Sequence, residues 1–116
     1  MKELCLSVLA LAILSGCSSI RSGLEIDAGD TFVLGGDQRG AFFVEVVNTG
    51  VATVLISEVT ASADTLAVVT LDPRESASAR FQPGSAALIA NPDSREASLD
   101  VRVTGDTNLG MRYVGQ

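Results

Sequence analysis

The 116-residue sequence predicts an all-β sandwich over most of its length. Three observations point there. From Leu24 onward, short alternating apolar–polar runs recur about every ten residues. Gly, Pro, Asn and Asp cluster between those runs, as turns require. No segment there sustains an apolar period of 3.6, so helices are not expected in that part.

The first element lies outside the sandwich. Met1, Lys2 and Glu3 form a short charged start, residues 4–14 are an uninterrupted run dominated by apolar side chains, and Ser15 and Gly16 are small. This is the layout of a secretory signal peptide. As a helix the run would be roughly 16 Å long, about half of the ~30 Å hydrocarbon core that a transmembrane span must cross. Leu14, Ser15 and Gly16 stand directly before Cys17, and this stretch resembles the lipobox of bacterial lipoproteins. The resemblance implies cleavage before Cys17, a diacylglyceryl group on its thiol and acylation of the new amino terminus. Ser18, rather than Asp, after the cysteine implies delivery to an outer membrane, with the domain facing the periplasm. Several acyl chains are needed because each buried methylene adds ~0.8 kcal/mol and a single chain binds only marginally. The expected division is a signal peptide over 1–16, the lipidated Cys17 with a short tether to residue 23, and a folded domain over 24–116.

Composition narrows the chemistry. After residue 16 the chain carries seven arginines, no lysine and thirteen acidic residues, for a net charge of −6. Such a surface argues against nucleic-acid binding, which needs Lys and Arg to neutralise phosphates. It also argues against docking on anionic lipid heads, leaving the lipid as the means of attachment. Cys5 leaves with the signal peptide and Cys17 is consumed by the lipid, so the mature chain has no disulfide to form. There is no histidine, which removes Ser-His-Asp and Cys-His relays and imidazole ligands for zinc. Without lysine, Ser-Lys catalysis and a P-loop are also excluded, so Gly35-Gly36 is a strand connection.

The strands follow in order. Residues 24–27 and 31–34 are two short strands parted by a turn at 28–30, and 35–40 is a glycine-rich loop. Residues 41–47 alternate cleanly, with Phe42, Val44 and Val46 on one face and Phe43, Glu45 and Val47 on the other. Phe42-Phe43 puts aromatic surface on both faces of this strand, and Phe43 is expected to be buried by sheet packing, with a partner-binding patch as the alternative. Asn48-Thr49-Gly50 offers positive φ for a hairpin into 51–60, with Val54 and Ile56 inward. Residues 61–64 turn the chain into 65–71, which Pro73 ends because it lacks an amide hydrogen. Residues 77–82 and 86–90 flank Pro83-Gly84, and 91–94 is a turn cluster. Residues 96–104 place Leu99, Val101 and Val103 inward, and 105–108 closes a hairpin onto Leu109, Met111 and Tyr113.

About seven to nine short antiparallel strands at this spacing fit an immunoglobulin-like sandwich. Residues 43–50 and 71–77 resemble the V-x-V-x-N-x-G and L-x-P-G-E-S stretches of bacterial Ig-like cell-surface modules, with Arg74 where those modules have glycine. The likeness covers about a third of the chain, and its motifs are structural, so it bears on fold rather than function.

Carboxylates remain the one catalytic resource. Asp27 with Asp30, Asp72 with Glu75, and Asp93 with Glu96 could span a sugar, but each pair sits in or beside a turn, and the chain has no Trp to form a sugar platform. Calcium could be held by Asp106 and Asn108 if they converged with the 91–93 turn at one end of the sandwich. The reading is therefore a non-enzymatic, envelope-anchored module that binds an unknown envelope protein or glycan. It would need no cofactor beyond the lipid on Cys17 and no metal. Recognition would run through strand addition at a sheet edge or through the 35–40 and 91–95 loops, with Arg39, Asp93, Arg95 and Asp106 as contact residues. The alternative is a structural accessory of an envelope or secretion complex. A carboxylate-dependent glycan hydrolase ranks third.

Overall fold

A computed structural model describes residues 19–114; the signal-peptide and lipidation readings at residues 1–17 lie outside it. The described residues form nine strands and no helix: β1 (Ser19–Ile26), β2 (Thr31–Gly35), β3 (Phe42–Asn48), β4 (Val54–Val59), β5 (Thr65–Leu71), β6 (Ser76–Phe81), β7 (Ala86–Ala90), β8 (Ala97–Gly105) and β9 (Met111–Val114). β1 begins at Ser19, five residues earlier than the alternation suggested. Ser19 to Gly23, read as tether, pair with Asp100 to Thr104 of β8. Little of that half-strand is buried, so no apolar rhythm betrayed it.

All pairing is antiparallel, in a four-stranded sheet ordered β1-β8-β3-β6 and a five-stranded sheet ordered β5-β4-β7-β2-β9. The pairs nest: β1 with β8, β2 with β7, β3 with β6, and β4 with β5. A long hairpin of eight strands rolled on itself gives this order, the double Greek key of a jelly roll. It is not the ABED/CFG order of an immunoglobulin sandwich, and that part of the sequence reading is corrected. Strand spacing reveals how many strands there are, but the partner of each is fixed by long-range pairing.

Two expected hairpins are corrected for the same reason. Residues 49–53 carry the chain from β3 in one sheet to β4 in the other, and residues 106–110 carry it from β8 across to β9, which pairs with β2. Positive φ occurs at Gly29, Gly35, Gly36, Gly84, Gly105, Ala63 and Arg74, and not at Asn48 or Gly50. Gly50 is needed for closeness instead, since a Cβ there would lie 2.9 Å from the backbone nitrogen of Ser98. The β4–β5 hairpin is as expected, with a bulge where Val68 is left without a partner between Ile56 and Ser57.

The core lies between the sheets. β3 alternates buried and exposed without exception, and Phe42, Val44 and Val46 meet Val54, Ile56, Phe81, Leu99, Val101 and Val103 inside. Phe42 and Phe81 stack with ring centroids 5.2 Å apart. On the opposite flank Tyr113 packs edge-on against Phe32, and its hydroxyl donates to the Glu25 carbonyl at 2.8 Å. That bond ties β9 of one sheet to β1 of the other.

Three buried carboxamides close the ends. Asn48 Nδ2 donates to the carbonyls of Ala52 and Leu71, while its Oδ1 accepts from the Gly50 amide. Asn91 Nδ2 reaches the carbonyls of Ile26, Asp27 and Arg95. Gln38 Nε2 reaches those of Gln82 and Ser85. Each amide donates to two or more carbonyls and so pins loops of its end together, with its own buried polar group satisfied.

Candidate functional site

The register sorts every loop to one of two ends. Ser19, Gly35, Phe42, Phe81, Ala86 and Gly105 mark one end, with loops 36–41, 60–64, 82–85 and 106–110. Ile26, Thr31, Asn48, Leu71 and Ala97 mark the other, with loops 27–30, 49–53, 72–75 and 91–96. The four loop residues singled out from sequence therefore split. Arg39 and Asp106 share the Ser19 end, and Asp93 and Arg95 share the Ile26 end. Asp106 and Asn108 cannot converge with the 91–93 turn, and the calcium arrangement is corrected on that ground. Among the described residues no three acidic or thiol side chains gather in a metal-holding group.

At the Ser19 end, an open depression of ≈ 440 Å³ is lined by Asp37, Arg39, Asp106, Asn108 and Leu109, among others. Of its two carboxylates, that of Asp106 is already engaged. Asp106 accepts from the backbone amides of Asn108 at 3.0 Å and Gly40 at 2.8 Å, which hold its carboxyl below the usual carboxylate range. Asp106 thus staples the 36–41 loop to the 106–110 loop. At the Ile26 end, the Arg95 guanidinium grips Asp93 with contacts of 3.1 and 3.2 Å, and its backbone amide adds a third bond. These bonds depress the Asp93 carboxyl and raise the Arg95 guanidinium. Both groups are spent on each other.

The Asp72–Glu75 pair is similarly occupied. Asp72 accepts from the Thr53 hydroxyl, and Glu75 accepts from the Asp72 amide across their own turn. All three candidate pairs sit in loops of the Ile26 end.

The outer face of the four-stranded sheet offers a different surface. Phe43 lies there 46% exposed, against the expectation that sheet packing would bury it. The sandwich has only two layers, so nothing covers that face among the described residues. Phe43 lies across from Arg80 on β6 and Thr104 on β8. With Glu45, Ser78, Arg102 and Thr104 it lines a shallow depression of ≈ 280 Å³. Arg102 approaches Glu45 at 4.0 Å, and both side chains are at least half exposed, so the pair adds little stability and remains available for contact. An aromatic face ringed by hydroxyls, a carboxylate and a guanidinium can stack on a ligand and orient it by hydrogen bonds. Phe43 was legible in sequence as aromatic surface on one strand face. That the face is solvent-exposed follows only from the two-layer topology.

No family model and no curated protein matches the chain. Among solved structures, the crystal structure of the Yersinia pseudotuberculosis-derived mitogen (YPM) is similar over 80% of this chain and 94% of that one, with 13% identity and a TM-score of 0.47.

Proposed function

We propose that the protein is a non-catalytic, lipid-anchored binding module of the bacterial envelope. It is held at the outer membrane by acyl chains on Cys17 and contacts an envelope protein or glycan through the depression around Phe43. The observation that carries the binding role is Phe43 itself, a large apolar ring left open on an interior strand among groups able to hydrogen-bond. The depression has room for one sugar ring or one side chain. Asp72, Glu75 and Asp93, three of the carboxylates on which a hydrolase could draw, are engaged in turn hydrogen bonds, which supports binding over catalysis.

A photo-crosslinker at Ser78 in the full lipoprotein, in its own membrane, tests the reading and separates a protein adduct from a glycan one. Phe43→Ala should lower the adduct at least tenfold while the domain keeps its melting temperature within a few degrees. Undiminished crosslinking would overturn the site. Metabolic labelling with a fatty-acid probe tests the anchor separately: wild type should label and Cys17→Ser should not.

A further inference from the structure

The two outer faces of the sandwich differ in charge. On the four-stranded sheet, outward positions include Arg21, Glu25, Glu45, Arg80, Asp100 and Arg102. On the five-stranded sheet, the outward positions include Leu55, Val59, Leu88, Ala90 and Val114, with Val33 outward by register but only 5% exposed, and the rest are Thr, Ser, Ala or Gly except for Arg112. In a chain of net charge −6 this is one nearly uncharged face. Leu55 and Val114 remain 40% and 45% exposed on it.

We infer that this face pairs with the same face of a second copy when the protein is held on a membrane. Charge selects the occupant. Two copies of an acidic protein repel, and this is the surface on which they can meet while keeping their carboxylates apart. Chain geometry agrees with it, given the lipid anchor proposed above. A two-fold axis parallel to the strands brings the faces together and leaves strand direction unchanged, so both Ser19 ends stay on one side. Cys17 is two residues before Ser19, a reach of about 7 Å, so both lipids can enter one membrane. Antiparallel pairing of β5 edges would instead put the two anchors at opposite ends. With the axis over β7, the central strand, Leu88 meets its own copy. Arg112, on the edge strand β9, then falls at the rim opposite β5 of the partner copy, where it stays in water.

The area sets the conditions. Five strands about 4.8 Å apart, each exposing some five residues of length, give roughly 400 Å² per copy. The total is below the ~1,200 Å² of stable complexes. The contact is therefore weak for free molecules and depends on the raised effective concentration of a shared membrane.

The test uses residues 17–116, the expected mature chain, with Cys17→Ser; the nine strands of the described residues and their core lie within it. An amino-terminal hexahistidine holds the chain on vesicles carrying nickel-chelating lipid, so attachment does not require native lipidation. Under mild oxidant, Leu88→Cys should form at least tenfold more disulfide dimer than Ser78→Cys on the opposite face. Adding Leu55→Arg, an exposed substitution that leaves the melting temperature unchanged, should abolish the Leu88→Cys dimer. Equal or absent crosslinking at the two positions would overturn the inference. So would survival of the dimer with Leu55→Arg, or, in native membranes, a Leu88→Cys adduct with another protein and none with itself. Loss of fatty-acid labelling at Cys17 would overturn the anchor reading without touching the vesicle result.

Discussion

Asn48→Asp isolates one buried amide almost isosterically. Asn48 has no exposed surface, and its Nδ2 donates to the Ala52 carbonyl at 2.7 Å and the Leu71 carbonyl at 3.1 Å. Aspartate keeps the acceptor that receives the Gly50 amide but turns an oxygen toward two carbonyl oxygens. Each carbonyl stranded in the interior costs about 1–3 kcal/mol, and the ionised carboxylate adds its own desolvation. We expect a loss of about 4 kcal/mol at pH 7, a large share of the about 5–15 kcal/mol available to a domain of this size. The pH dependence has a definite sign. Burial among carbonyls raises the folded-state pKa of the new carboxyl above its unfolded value, so its ionised form penalises the fold. Stability relative to wild type should recover as pH falls through that raised value, because the protonated acid can again donate to one carbonyl. Urea melts of both proteins at pH 7 and pH 5 measure it, with Asn108→Asp in the exposed 106–110 loop as a control expected to change little. A loss under about 1 kcal/mol at pH 7, or a penalty that grows on acidification, would refute the reasoning.

Arg74→Gly should stabilise the fold by about 0.5–1 kcal/mol in denaturant melts, since Arg74 sits at φ 72 in the turn after Pro73, where an L side chain is strained and unfolded-chain entropy returns only part of the gain. Gly50→Ala should cost about 1–3 kcal/mol because its Cβ would press on the Ser98 backbone, whereas Gly23→Ala, with nothing within 4 Å, should be neutral or gain about 0.5 kcal/mol. In NMR titrations the Asp93 and Asp106 carboxyls should both titrate below the ordinary aspartate value. Arg95→Ala should raise Asp93 toward that value, while Arg39→Ala leaves Asp106 low because backbone amides hold it. Both folded values lie below the unfolded one, so any stability these groups contribute is complete above the unfolded value and lost as pH falls below about 4.

Strand positions were legible because burial writes itself into sequence at short range. β3, β5, β7 and β8 fall within a residue or two of where alternation and turn residues placed them. Arg74 was legible as an oddity against the L-x-P-G-E-S pattern, and its backbone takes a positive φ, the region that favours glycine. Partnership was not legible. Nothing in residues 48–50 says that the chain changes sheets there, because a crossing and a hairpin both need small polar residues. The early half of β1 was hidden for another reason: Arg21, Ser22 and Gly23 are exposed edge residues held by backbone bonds, which leave no side-chain signature. Asn48, Asn91 and Gln38 read as ordinary loop residues. Their burial arises from contacts with loops 4 to 65 positions away.

The same topology constrains how the two proposed surfaces could work together. A two-fold along the strands stacks four sheets, each about 10 Å from the next. The two Phe43 depressions would then face away from each other, about 30 Å apart. One short ligand could not span both, so pairing would recruit two partners instead of gripping one twice. Leu55→Arg should accordingly leave the affinity for a monovalent ligand at the Phe43 depression unchanged while lowering retention of a ligand displayed as a dense array. Titration of the vesicle-bound protein with free and arrayed forms of whichever ligand the Ser78 crosslink identifies distinguishes these. A matched loss of affinity for both would mean that the two faces are not independent, and the stacked arrangement would have to be abandoned.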